Sequence, residues 1–137
     1  MTVETDVAHH YTLSAIETRI DEALRAAGKD PEHLHPDDLA PLDEFHLGGR
    51  AATEAFATRL RLQDGMRLLD IGSGLGGPAR YFARHHGCDV TGIDLTDEFV
   101  TVARSLARRL GWKARFGSKK AARRPCRSQP PVLMLLR

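Results

Sequence analysis

Residues 68–77 read Leu-Leu-Asp-Ile-Gly-Ser-Gly-Leu-Gly-Gly, and this stretch decides the fold. A short apolar strand, predicted over Arg67–Ile71, leads into a glycine-rich loop and then into a helix pattern that starts near Pro78. A second strand is predicted over Asp89–Asp94 and ends on a carboxylate. Glycines lack a Cβ, so such a loop lets a ligand approach the backbone closely. Strand, loop, helix and strand in this order predict an α/β fold with a parallel sheet.

The chain divides into three predicted regions. Residues 1–62 form a helical cap or lid, with apolar spacing that indicates helices over Tyr11–Ala27 and about Arg50–Leu62. Residues 63–112 form the start of a doubly wound, Rossmann-like domain, of which the pattern supplies two strands and an incomplete sheet. Residues 113–137 form a basic tail without helix or strand periodicity.

The charge balance separates that tail from the rest of the chain. Residues 1–112 carry 12 Lys/Arg and 18 Asp/Glu, whereas residues 113–137 carry 8 Lys/Arg and no acid. This composition is what GC-rich coding DNA gives when it is read in a shifted frame. We therefore expect a truncated or frameshifted protein with authentic sequence ending near Trp112, or a disordered tail. The alternative is a nucleic-acid-binding arm, since clustered Lys/Arg side chains favour binding to phosphate. We expect the truncated or frameshifted protein over this arm.

The remaining bulk features predict an ordinary soluble protein. Cys88 and Cys126 are far apart and match no disulfide or metal framework, so no metal is expected. The N-terminus shows no signal peptide. The longest apolar run, Val132–Leu136, is too short for a membrane span, which needs about 20 residues. A cytoplasmic location is the expectation.

Two nucleoside-type cofactors fit the glycine loop. Gly72, Gly74 and Gly77 satisfy the dinucleotide pattern G-x-G-x-x-G, with Asp94 about 20 residues further on, which would indicate an NAD(P)-binding oxidoreductase. Asp70 argues against that reading, because a carboxylate beside the loop opposes a negatively charged pyrophosphate. A ligand that carries a cationic amino-acid group would instead be attracted by it.

Asp70–Gly76 together with Gly92–Leu95 resembles the first two signature motifs of the class I S-adenosylmethionine-dependent methyltransferases. The resemblance extends over about residues 9–112. It implies S-adenosyl-L-methionine as cofactor and a site formed by Asp70, Gly72, Ser73, Gly74, Gly76, Asp94 and Leu95. In this family the loop packs against the methionine part of the cofactor. The resemblance places Asp70 near the ammonium, Asp94 on the ribose hydroxyls and Leu95 beside the adenine.

The string Gly74–Arg80 further resembles methyltransferases that act on small molecules such as amines, phenols or lipid precursors. The resemblance therefore implies a small-molecule methyl acceptor as the partner, with neither nucleic acid nor a membrane span expected. The part of the family's sequence that faces the acceptor does not follow residue 112. We accordingly name no catalytic residue, and we expect weak cofactor affinity and no turnover from this chain alone.

Three further residues are weighed as site residues. Tyr11, at the first helix, resembles a lid contact in related methyltransferases, with a surface turn as the alternative. Arg50 could pair with the cofactor's carboxylate bidentately, or could be a solvated residue at a helix start. His46 is a candidate general base, with a structural role as the alternative.

Overall fold

A computed structural model of the chain describes residues 3–44, 47–112, 115–118 and 133–136, with side chains described within 15–44 and 47–112. The helices are α1 (Val3–Ala26), α2 (Ala40–Asp43, directly after a 3₁₀ turn, Pro36–Leu39), α3 (Gly49–Arg59), α4 (Gly77–His86) and α5 (Asp97–Arg109). The strands are β1 (Arg67–Ile71), β2 (Asp89–Asp94), β3 (Arg115–Ser118) and β4 (Leu133–Leu136).

The four described strands form one parallel sheet in the order β3-β2-β1-β4. In the central pair, Arg67 lies beside Asp89 and Ile71 beside Ile93. The chain moves from β1 through β2 to β3 in one direction, and β4 lies on the other side of β1. The order therefore reverses next to β1. In open α/β sheets, ligands bind outside the carboxyl ends of the strands at such a switch point.

The number of strands corrects the expectation from the sequence. Residues 113–137 were expected to hold no strand, and the sheet was expected to have two strands; the structure adds β3 beside β2 and β4 beside β1. Strand β4 is a continuous apolar run, as strands of parallel sheets often are, so a search for periodicity does not find it, and β3 has only four residues of mixed character. The apolar run Val132–Leu136, which is too short for a membrane span, contains β4.

Two apolar clusters hold the described elements together. One lies between the β1–β2 pair, α4 and α5, and its buried residues include Leu68, Ala79, Phe82, Val90 and Ala103. The other joins α1 to α5 and includes Ile20, Leu24, Leu39, Leu75, Val102 and Leu106. The second cluster contains a residue of the glycine loop, so the helices before the sheet contribute to the core beneath that loop.

Polar contacts reinforce the packing of α1 on α5. Arg109 Nη2 donates to Asp21 Oδ1 at 2.9 Å and to the Pro31 carbonyl at 2.6 Å. The N-terminal region therefore packs against the α/β unit along α5. Within the described residues, we find no helix with the length and apolar character needed to cross a membrane.

Candidate functional site

The glycine loop leaves β1 at the carboxyl edge of the sheet and is fastened to the end of β2. The amides of Gly72 and Ser73 both donate to the Ile93 carbonyl, at 2.8 and 3.0 Å. The Gly76 amide then donates to the Ser73 carbonyl at 2.8 Å, which closes a turn before α4 begins. These bonds hold the loop beside the carboxyl end of β2, where the second predicted carboxylate lies.

The loop glycines need a backbone conformation that other residues rarely adopt. Gly72, Gly74 and Gly76 have φ of 76°, 52° and 84°, all in the left-handed region. A Cβ placed on Gly72 or Gly74 would meet no atom within 4 Å. The protein itself therefore does not fill the space in front of these two glycines. This open space is suited to a ligand that contacts the backbone.

Gly77, by contrast, faces a neighbouring segment of the protein. A Cβ there would lie 2.5 Å from Asp43 Oδ1 and 2.7 Å from the Asp43 carbonyl oxygen. Gly77 thus allows the chain at the end of α2 to pack closely on the start of α4.

Two polar side chains are buried at the base of the loop. Asp70, in β1, and Ser73, in the loop, are both 0% exposed. Ser73 Oγ has no hydrogen-bond partner among the described residues. A buried hydroxyl without a partner carries a free-energy cost unless a further group satisfies it. The base of the loop therefore offers a polar group suited to a polar ligand.

Asp94 lies at the end of β2, opposite the loop. Its Oδ2 accepts a hydrogen bond from the Gly74 amide at 2.8 Å, and its Oδ1 accepts one from the Thr96 amide at 2.9 Å. An ionised carboxylate has about four acceptor sites, so this side chain can support the loop and still accept bonds from a ligand. Thr96 is the N-cap residue of α5 and makes no side-chain capping bond.

Leu95 follows Asp94 and is 77% exposed. An apolar side chain of this size gains free energy when a ligand covers it. Its position next to Asp94 puts an apolar surface beside a carboxylate. The two neighbours could therefore contact an apolar ring and a hydroxylated group of the same ligand.

Arg50 has partners within the protein. Its Nε donates to the buried Glu44 carboxylate, and its Nη1 lies 3.5 Å from Asp37 Oδ1. Its guanidinium also lies over the Tyr81 ring, 5.0 Å from the ring centre. These contacts compete with the predicted pairing to a ligand carboxylate.

The other two candidates are placed only in part. Tyr11 lies within α1, but its side chain lies outside the described part of the chain. His46 also lies outside the described residues. Both roles stay predictions.

Analysis of the sequence missed a buried ion pair behind the loop. Arg80, in α4, is 3% exposed and Asp43, at the end of α2, is 2% exposed. Arg80 Nη2 donates to Asp43 Oδ2, and Arg80 Nη1 donates to the Leu75 carbonyl at 2.7 Å. Burial raises the pKa of Asp43 to about 6, although the charge of Arg80 opposes that rise. The available signal was an arginine one turn after the glycines, beside Ala79 and Phe82, which are apolar and buried.

Comparison with known proteins agrees with this geometry. A sequence model of the family described as "Methyltransferase domain" matches residues 68–133. The chain belongs to the class I methyltransferase family. The match includes the loop, both carboxylates and β3, and it continues past residue 112. It does not favour the nicotinamide-dependent oxidoreductase that the glycine pattern left open.

Individual relatives and a solved structure support the same family. Methyltransferase GfsG of Streptomyces halstedii is 34% identical over 95 residues, 69% of this chain and 34% of that protein. Phosphoethanolamine N-methyltransferase 1 of Zea mays is 39% identical over 66 residues, 48% of this chain and 13% of that protein. The structure of Haemonchus contortus phosphoethanolamine N-methyltransferase 2 in complex with S-adenosyl-L-methionine has a TM-score of 0.50 and 32% identity, over 56% of this chain and 18% of that one.

The chain aligns with only a part of each relative's length. The aligned segments cover 13 to 34% of the first four curated relatives. The family match, residues 68–133, contains the glycine loop. The family resemblance therefore bears on ligand binding more directly than on the choice of acceptor.

Proposed function

We propose that this methyltransferase chain binds S-adenosyl-L-methionine in the site formed by Asp70, Ser73, the loop Gly72–Gly76, Asp94 and Leu95. The observation that carries the proposal is an open, glycine-lined loop held between two carboxylates at the switch point of the sheet. Buried Asp70 favours the cofactor's ammonium over a pyrophosphate, since a carboxylate attracts a positive charge and repels a negative one.

Each remaining part of the cofactor has a matching group. The free acceptor sites of Asp94 suit the two hydroxyls of a ribose. Exposed Leu95 suits the adenine, and the space before Gly72 and Gly74 suits a methionine moiety that approaches the backbone. Arg50 is left out of the proposed site because Glu44 and Asp37 already hold its guanidinium.

The proposed reaction is methyl transfer to a small-molecule acceptor. S-adenosyl-L-methionine supplies an activated methyl group on its sulfonium. The residues described here would bind and orient the donor, and orientation of two reactants is itself a large part of catalysis. A small acceptor is supported by relatives named for phosphoethanolamine and for 24-methylenesterol. A cytoplasmic location is part of the same proposal.

We also propose that the reading frame of the coding sequence shifts near residue 112. The change from an acidic to an acid-free composition supports this. The family match up to residue 133 and the strands β3 and β4 count against it. Sequencing the coding DNA from codon 105 and translating all three frames decides the question. A frame that extends the methyltransferase sequence supports the shift, and no such frame refutes it.

Titration calorimetry with S-adenosylhomocysteine tests the binding site. Asp94→Asn removes the charge and one acceptor, so we expect affinity to fall about tenfold or more, because a hydrogen bond to a charged group contributes about 1.5–3 kcal/mol. Asp97→Asn is the matched control, since Asp97 is exposed in the first turn of α5 and should leave affinity unchanged. Absence of binding by the wild-type chain, or tighter binding of NADH, would overturn the proposal.

A further inference from the structure

Arg80 lies behind the glycine loop in a position that no proposed ligand contact explains. It lies in α4, almost completely buried, and its guanidinium points two donors at two different parts of the chain. One acceptor is the Leu75 carbonyl in the loop, and the other is the Asp43 carboxylate at the end of α2. A single side chain thus connects the N-terminal region to the loop.

The side chain and the carbonyl oxygen of Leu75 are both held by other parts of the protein. Its side chain is buried in the cluster that contains Leu24 of α1 and Leu106 of α5. Its carbonyl is held by Arg80, while the residues on both sides are glycines with positive φ. Glycines give little resistance to rotation, so the contacts of Leu75 add to the bonds that tie Gly72, Ser73 and Gly74 to the end of β2.

The Asp43 end of the connection is equally constrained. The Asp43 backbone and Oδ1 lie against Gly77, where even a methyl group would not fit. Asp43 therefore cannot move toward α4, and the carboxylate keeps Arg80 from turning away from Leu75. Arg50 and Glu44, which approach Asp43 from α3 and from the residue after α2, complete the charged surroundings.

Stability alone is a poor explanation for this pair. Placing two charges in the interior costs about as much free energy as their attraction returns, and apolar replacements are often as stable. A planar guanidinium does something that an apolar group cannot, because its rigid fork holds two acceptors at a fixed separation. The arrangement is therefore suited to fixing geometry.

We propose that Arg80 is a positioning residue: held by Asp43, it fixes the Leu75 carbonyl so that the loop keeps the open conformation that receives the ligand. This inference rests on the proposed function, since the ligand is the cofactor proposed above. Loss of either donor contact lets the loop sample conformations that do not bind. Ligand affinity then falls by the fraction of time the loop spends in them.

The test compares the full chain carrying Arg80→Lys, Asp43→Asn or Arg84→Lys with the wild type, by titration with S-adenosylhomocysteine and by melting temperature. Lys keeps the charge but cannot reach both acceptors, and Asn keeps the shape of Asp43 without its charge. We expect Arg80→Lys and Asp43→Asn each to weaken ligand binding about tenfold at a temperature at which the variant is folded. Arg84→Lys is the control, because Arg84 is exposed, pairs with Asp37 at 3.8 Å and should bind like wild type.

A second readout separates positioning from stability. Backbone amide signals of Gly74, Leu75 and Gly76 in an NMR spectrum should shift or broaden in Arg80→Lys without ligand, while that of Val90, at the opposite end of β2 from the loop, should not. Wild-type affinity in both variants, with loop signals unchanged, overturns the inference even where the melting temperature falls. A wild-type chain that binds no ligand is a different result, since it refutes the proposed function.

Discussion

At the scale of single residues, Asp43 should give the chain an unusual dependence on pH. Burial raises its pKa from an ordinary 3.8 to about 6, so between these pH values the folded chain holds a proton that the unfolded chain has lost. The contribution of Asp43 to the free energy of unfolding is therefore largest below pH 3.8 and is lost as pH rises through about 6. This is opposite to the trend of a carboxylate that a salt bridge stabilises.

Urea unfolding between pH 4.5 and 7.5 measures this effect. Asp43→Asn cannot titrate, so the difference in free energy of unfolding between the wild type and this variant should move in favour of the wild type as pH falls. Subtraction of the two curves removes the titration of the histidines. Two parallel curves would show that Asp43 has an ordinary pKa.

The residues whose positions could be predicted share one property: the sequence pattern that identifies them lies within a few neighbouring residues. Asp70, the loop glycines and Asp94 are recognised because each has a fixed place next to a strand end. The Arg80–Asp43 pair joins positions 37 residues apart, and nothing in the spacing along the chain indicates it. The contacts of Arg50 with Glu44 and Tyr81 depend in the same way on how α3 and α4 pack.

At the scale of elements, the predicted bounds were best where turn chemistry marks them. The strands β1 and β2 have the bounds predicted for them, and α4 begins around Pro78 and ends at Gly87 in a left-handed C-cap. The helix expected from Arg50 to Leu62 instead runs from Gly49 to Arg59, and α1 begins earlier than Tyr11. The strands β3 and β4 were missed because backbone pairing with neighbours defines them.

The packing of α1 on α5 gives a prediction about the N-terminal region. Leu24 is buried in the cluster that contains Leu75 and Leu106, so Leu24→Ala should lower the free energy of unfolding by about 2–5 kcal/mol. Leu95→Ala, at an exposed position, should change it by less than about 0.5 kcal/mol. Urea denaturation of both variants is the measurement. Equal stabilities would mean that α1 is a detachable lid and not part of the core.

At the scale of the whole molecule, we expect binding without turnover. The described sheet provides the loop and both carboxylates, and the sequence pattern names no acceptor-facing residue after them. The purified chain, incubated with S-adenosyl-L-methionine and an amine such as phosphoethanolamine, should form no S-adenosylhomocysteine above the rate without protein. Product formation that depends on Asp94 would contradict this expectation.

The residues proposed to contact the cofactor all fall within residues 70–95, and the bonds from Ile93 to the loop join the two ends of that stretch. A change in the coding sequence downstream of this stretch would leave the proposed donor-binding residues in place. A protein that binds S-adenosyl-L-methionine without turnover would hold the cofactor without consuming it. In a cell, its effect would scale with its abundance, as that of a buffer does, and not with a catalytic rate.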